Sequence, residues 1–226
     1  MRKIPLIFSG IVTVIILLVA CSKADNTQTT QTVYAAIATA FGAQIDLNNL
    51  ANYAAQTKPA YIVKDNTGNN PITNAKATLG RVLFYDKKLS IDNTISCASC
   101  HKQAFAFSDT ALISAGVAGG LTDRHSMRLV NERFGVEAKF FWDERAASLE
   151  NQTTQPIADH KEMGFSGQTG RAGIAALLAK LQATDYYNEL FKFTYGDIAV
   201  TEPRLQECLG QFIRSIQSFD AKYDVG

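Results

Sequence analysis

Cys97-Ala98-Ser99-Cys100-His101 reads C-x-x-C-H. Two thiols two residues apart can reach the two vinyl groups of one porphyrin, and the histidine that follows offers its imidazole to the iron. This is the spacing that covalent attachment of haem c requires. The chain holds four Cys and three His, so a match to three specified residues within five positions is a specific signal. Half of a structural zinc site is the competing use of the spacing. It would need a second close Cys/His pair, and the sequence has none.

Haem c is attached outside the cytoplasm, so an export signal is expected upstream. Arg2 and Lys3 form a short positive region, and Ile4 to Val19 is an uncharged apolar run broken only by Ser9, Gly10 and Thr13. The run falls short of the roughly twenty residues of a membrane span. Leu18-Val19-Ala20-Cys21 resembles a bacterial lipobox, which implies a lipoprotein signal peptide over residues 1–20 and lipidation of Cys21. An acylated N-terminus would hold the protein on the periplasmic side of a membrane. Ser22 after the cysteine points to the outer membrane. Removing residues 1–20 takes away Arg2 and Lys3 and no acid, so the formal charge falls from +1 to −1. A near-neutral chain argues against nucleic acid as a partner. With Cys21 lipidated and Cys97 and Cys100 on haem, Cys208 is left alone in an apolar helical pattern, where a small buried hydrophobe is expected rather than a disulfide.

Residues 21–32 are polar and aperiodic, a tether leading into one domain over residues 33–226. Working outward from the haem motif, Thr73 or Asn74 can cap a helix carrying Ala77, Leu79, Val82 and Leu83, which follows a helical face only loosely. Short helices are expected over Val33–Phe41 and about Asn48–Ala55. Between them and the capped helix, residues 65–73 form a loop rich in Asn, with Gly68 and Pro71. Downstream, Gly116, Gly119 and Gly120 disfavour regular structure over 102–140, a length that suits wrapping a porphyrin. Ile174, Leu177, Leu178 and Leu181 then form one apolar stripe within a helix expected over Arg171–Ala183. A helix over Asp185–Phe193 follows. Thr201 can cap a last one with Pro203 in its first turn, whose core face is Leu205, Leu209, Phe212, Ile213 and Ile216. No sustained period-two alternation occurs, so the fold class is all-α: a c-type cytochrome-like haem domain with long loops around the haem.

The second face of the haem decides the chemistry. A strong sixth ligand makes an electron carrier, and an open face beside an acid/base makes a peroxidase. His125, His160, Met127 and Met163 are the residues left to serve as ligands. Three stretches, LGRVLFYDKKLS (79–90), SAGVAGGLTDRHSMRLVN (114–131) and FFWDERAASLENQTTQPIADHKEMGF (140–165), resemble the N-terminal haem domain of the bacterial di-haem cytochrome c peroxidase family. The likeness runs over about residues 74–220. It implies that His101 is the proximal ligand of the peroxidatic haem, Gln152 the distal glutamine and Glu162 the catalytic glutamate. It further implies that Phe141 and Trp142 are the aromatic pair, with the Trp on the electron path between two haems. The activity implied is reduction of hydrogen peroxide with electrons from a small donor such as cytochrome c. A variant would oxidise a protein or other organic substrate. Taken alone, Glu162 would read as a solvated surface residue and Trp142 as core packing.

Two positions depart from the family's pattern. Val117, sixteen residues after His101, stands where many members have a histidine that caps the resting iron. Val cannot ligate, which implies an iron open without activation. At Arg124-His125 the family commonly has Arg-Asn, whose Asn helps to hold calcium. His125 is a poor ligand for a hard cation, which argues against calcium. The resemblance also implies a second C-x-x-C-H on a C-terminal domain. The sequence reaches Gly226 where LGQFIRSIQSFDAKYD (209–224) would hand over to it, so a fragment is expected. The alternative function is a monohaem electron-transfer cytochrome, with Met163, Met127 or His125 as sixth ligand. A purely structural haem lipoprotein is a third class, which no residue supports.

Overall fold

A computed structural model describes residues 32–135 and 139–225. The signal peptide expected over 1–20, the lipidation expected at Cys21 and residues 21–31 of the expected tether lie outside them. The described residues form helices and short 3-10 turns, with isolated antiparallel bridges and no strand, in line with the all-α reading.

The haem segment rests on a crossing of two helices. Helix α2 (Asn74–Tyr85, after α1, Ala35–Phe41) starts at Thr73, whose Oγ1 accepts from the Lys76 amide at 3.2 Å. It buries Ala77, Leu79, Val82, Leu83 and Phe84. The face is loose in sequence because the helix is covered on more than one side. Helix α8 (Glu202–Arg214) starts at Thr201 with Pro203 in its first turn and buries Leu205, Cys208, Leu209, Phe212 and Ile213. At the crossing, a Cβ on Gly80 would lie 1.9 Å from the Cys208 carbonyl oxygen, so only glycine allows this approach. Burying side chains such as these stabilises the domain by roughly 1.5–3 kcal/mol each. Cys208 is wholly buried with its Sγ 3.2 Å from the Tyr195 hydroxyl, and burial pushes its thiol up to about 12.

Short elements occupy the middle of the chain: α3 (Cys97–Cys100), α4 (Leu149–Thr153) and α5 (Gln155–Ala158). Helix α6 (Ile174–Gln182) buries Leu177 and Leu181 of its expected stripe, leaving Ile174 and Leu178 half-buried. Helix α7 (Asp185–Tyr195) ends at Gly196, whose φ of 84° is left-handed. Tyr186 and Tyr187 of α7 donate to Asp86 Oδ2 at 2.5 and 2.8 Å, locking α7 to the end of α2. The Glu189 carboxylate of α7 accepts from the Ala36 and Ile37 amides at 3.1 and 3.0 Å, supplying from a distant helix the cap that α1 lacks locally. The last helix, α9, is a single turn, Lys222–Val225.

The helix expected over Asn48–Ala55 does not form. Asn74 Oδ1 takes the Tyr53 and Ala54 amides at 2.9 Å each, and Asp46 Oδ1 takes the Asn48 amide at 2.9 Å, so side chains satisfy donors that a helix would have used. The described part of 102–140 is loop, as its glycines require, with 3-10 turns at Gln103–Phe105, Val117–Gly119 and Glu132–Phe134. Asp109 ties its first half together, accepting from Lys102 Nζ at 2.6 Å and Ser114 Oγ at 2.7 Å.

Candidate haem site

Helix α3 is one turn long. Ser96 and Ser99 form a reciprocal capping box at its start, which fixes the turn that carries both cysteines. Residues three apart share a helix face, so Cys97 and Cys100 are presented together. Both thiols are free. Burial pushes Cys97 up to about 12, which keeps it a thiol, the form from which a thioether is made.

His101 closes the turn. Its Nδ1 lies 3.0 Å from the Phe107 carbonyl oxygen, 2.9 Å from that of Met127 and 3.1 Å from Ser126 Oγ. Carbonyls only accept, so Nδ1 carries the proton and Nε2 keeps its lone pair. Burial lowers the His101 pKa, which keeps the ring neutral. The arrangement is the one in which a carbonyl orients a metal-ligating imidazole.

Cys100 and His101 border a cavity of about 500 Å³, and an adjoining hollow of about 70 Å³, lined by both of them, also reaches Cys97, Phe84 and Met163. Two thiols on one turn, a neutral imidazole with a free nitrogen and a cavity of ligand size fit a covalent haem c. Among the described residues no group of three or more His, Cys, Asp or Glu is arranged to hold a metal ion.

With His101, Gln152 of α4 and Glu162 line both the cavity and the hollow. The Glu162 backbone is held from two sides. Its amide donates to Asp159 Oδ1 at 3.0 Å, and its carbonyl accepts from the Val117 amide at 3.1 Å. The glycine loop makes the second contact possible: a Cβ on Gly116 would lie 1.9 Å, and one on Gly120 2.7 Å, from the Lys161 carbonyl oxygen. The Glu162 carboxylate has no hydrogen bond or ion pair among the described residues. Burial, then the neighbouring Asp159 charge, raises its pKa to about 7, with Arg145 opposing. It is half-buried rather than the solvated surface residue it would be if taken alone. Val117 is 1 % exposed and packs toward Gly164, not into the cavity.

Phe141 and Trp142 sit in a loop closed by the Phe140–Ala146 bridge, with left-handed φ at Phe141 (72°) and Glu144 (56°). The Arg145 guanidinium lies 3.5 Å from the centroid of the Phe141 ring. Trp142 is not core packing: it is 57 % exposed at the cavity's rim, its Nε1 donating to the His125 carbonyl at 2.9 Å. His125 is built into a polar turn, with Nδ1 donating to the Ala111 carbonyl at 2.9 Å and Nε2 3.2 Å from Ser108 Oγ. His160 bonds Ser166 Oγ at 2.9 Å and lines neither space. Met127 borders the cavity and Met163, 3 % exposed, the hollow. Sequence reasoning passed over Arg145 and Asp159, which flank Glu162 electrostatically. Nothing in the sequence set them apart from the other charged residues of that stretch, Asp143, Glu144, Glu150 and Lys161.

A family model described as di-haem cytochrome c peroxidase matches residues 74–225. The chain belongs to that family. Among relatives, the methylamine utilization protein MauG of Methylophilus methylotrophus is 31 % identical over 156 residues, covering 69 % of this chain and 44 % of the relative. The cytochrome c551 peroxidase of Nitrosomonas europaea is 30 % identical over 148 residues, covering 66 % and 42 %. Among solved structures, a MauG-like protein associated with microbial copper homeostasis superposes with a TM-score of 0.61 at 31 % identity, covering 74 % of this chain and 48 % of that one. This di-haem peroxidase relative therefore spans less than half the length of the proteins it matches, and it carries one C-x-x-C-H.

Proposed function

We propose that this chain is a peroxidatic haem domain that reduces hydrogen peroxide to water with electrons from a small donor such as cytochrome c. The observation that carries the reading is Glu162: a half-buried carboxylate with no bonded partner and a pKa raised to about 7, on the same cavity as His101. A solvated surface glutamate would show neither feature.

In this reading Cys97 and Cys100 would hold one haem c through thioether bonds, and His101 Nε2 would ligate its iron. Bound there, haem supplies a redox-active iron. Glu162 as carboxylate takes a proton from one peroxide oxygen and returns it to the oxygen that leaves. A group with a pKa near the working pH does both with little penalty, and such positioned proton transfer contributes about 10²- to 10⁴-fold. The Gln152 amide, unbonded among the described residues, orients the peroxide. Two electrons and two protons per peroxide give two waters. Trp142, anchored to His125 at the rim, passes the electrons inward. The engaged nitrogens of His125 and the buried Val117 leave neither residue to close the iron, which supports the reading. Met127 and Met163, which line the same spaces, are the ligands the electron-carrier alternative would need. We place the domain on the periplasmic side of a bacterial membrane, the outer one, with residues 1–20 removed as a leader and Cys21 lipidated.

The test is the ferric optical and EPR spectrum of the haem-loaded protein, before and after peroxide. A high-spin spectrum that changes on mixing, with peroxide consumed, is expected. A low-spin spectrum indifferent to peroxide would overturn the reading in favour of the electron carrier.

A further inference from the structure

Glu162 borders a third space. A hollow of about 290 Å³ on the outer side of α5 is lined by Arg145, Gln155, Pro156, Ala158, Asp159 and Glu162. Four of these, Arg145, Pro156, Asp159 and Glu162, also line the large cavity, so the two spaces meet at the candidate acid/base. A porphyrin joined to Cys97 and Cys100 would occupy the large cavity, and its rim by Trp142 and His125 would no longer be an open way in. A small oxidant bound for the distal face needs another door.

The walls of the hollow suit a small uncharged molecule that both donates and accepts hydrogen bonds. Arg145 is held on three sides: its guanidinium lies over Phe141 at 3.5 Å, its Nη1 bonds Asp143 Oδ1 at 2.9 Å and its Nε reaches Gln155 Oε1 at 3.3 Å. Gln155 is fixed in turn by Asn151 Oδ1 at 3.0 Å. Asp159 lines the same hollow, its Oδ1 already engaged by the Lys161 and Glu162 amides at 2.8 and 3.0 Å. Donors and acceptors are thus set in place before anything enters, which spares their ordering on each passage. Ala158, at the end of α5, is the smallest side chain on the wall and is solvent-exposed.

We propose that this hollow, bounded by Arg145, Gln155, Ala158 and Asp159, is the entrance through which small uncharged ligands, hydrogen peroxide foremost, reach the haem cavity at Glu162. The proposal rests on the peroxidase reading for the identity of the oxidant. Its test is arranged so that the two fail separately.

Carbon monoxide is the probe. In the reduced, haem-loaded full chain, flash photolysis gives the rate at which carbon monoxide re-enters from solvent, whether or not peroxide is turned over. Ala158→Trp narrows the hollow from its exposed side without entering the core. It should slow that bimolecular rate, and the rate of reaction with peroxide, by about tenfold, which is about 1.4 kcal/mol of added barrier. Ala158→Ser, which keeps the wall small, should match the wild type. So should Ile113→Trp, since Ile113 lies beside Trp142 and His125 in a shallow hollow next to the rim, away from α5, where the substitution only adds bulk. Wild-type carbon monoxide entry in Ala158→Trp, or equal slowing in Ile113→Trp, would overturn the assignment of the door. Peroxide left unconsumed by a wild-type protein that binds carbon monoxide would sink the peroxidase reading instead, while the carbon monoxide rates still decide the door.

Discussion

Gly80 and Gly116 solve the same steric problem in different surroundings. A Cβ at either position would lie 1.9 Å from a carbonyl oxygen, that of Cys208 for Gly80 and that of Lys161 for Gly116. Around Gly80 the contact joins α2 to α8, two capped helices with buried faces, and it sets the spacing of the core. Around Gly116 the contact joins one loop to another, and it sets where Glu162 sits. The same chemistry of omission supports the fold in one place and the site in the other.

Substitution should separate the two. Gly80→Ala forces the helix pair apart, and overpacking at a backbone contact is expected to cost about 3 kcal/mol. Chemical denaturation would read this as a lower midpoint with an unchanged slope, while the protein that remains folded keeps its haem spectrum. A stability equal to wild type would mean that α2 and α8 do not cross as described. Gly116→Ala should cost less in stability, about 1 kcal/mol, because a loop can shift where a helix pair cannot. Its larger effect is on the site: displacing Lys161 and Glu162 should lower peroxide turnover by about 10²-fold. A variant that loses stability but keeps turnover would break the distinction between the two glycines.

A third substitution, read through stability and visible only at high pH, tests the electrostatics of the loop side. Folding raises the Glu162 pKa from 4.5 to about 7, so the folded chain binds that proton more tightly than the unfolded one. Stability therefore falls as pH rises through this window, and the penalty is fully present above it. Glu162→Gln removes the penalty. It should be more stable than wild type by on the order of 1–3 kcal/mol near pH 8 and equal to it near pH 4. Thermal unfolding at both pH values checks this, and a difference independent of pH would mean that Glu162 titrates normally.

The helical side was the more legible in sequence. Thr73, Thr201 with Pro203, the stripe from Leu205 to Ile216 and the C-x-x-C-H turn are signals carried by neighbours along the chain, and each lies where the residues indicated. What could not be read was set from afar. Asn74 draws out the amides of Tyr53 and Ala54 and prevents a helix there. The turns that carry Gln152 and Pro156, α4 and α5, are five and four residues long, too short for periodicity to register. The glycine loop at 116–120 partly buries Glu162, and only the resemblance to a family distinguished that residue from other glutamates. Trp142 lies at a rim because of left-handed backbone at Phe141 and Glu144, for which neither residue type gives warning.

The central claim is that Glu162 moves the proton in peroxide reduction, and the pH dependence of the peroxide reaction in wild type and Glu162→Gln tests it most directly. The carboxylate is the form that accepts the first proton, so the wild-type rate should rise with pH through an apparent pKa near 7. Glu162→Gln should keep the haem spectrum, react about 10²-fold or more slowly and lose that pH dependence. A Glu162→Gln protein with the wild-type rate and the wild-type profile would contradict the account.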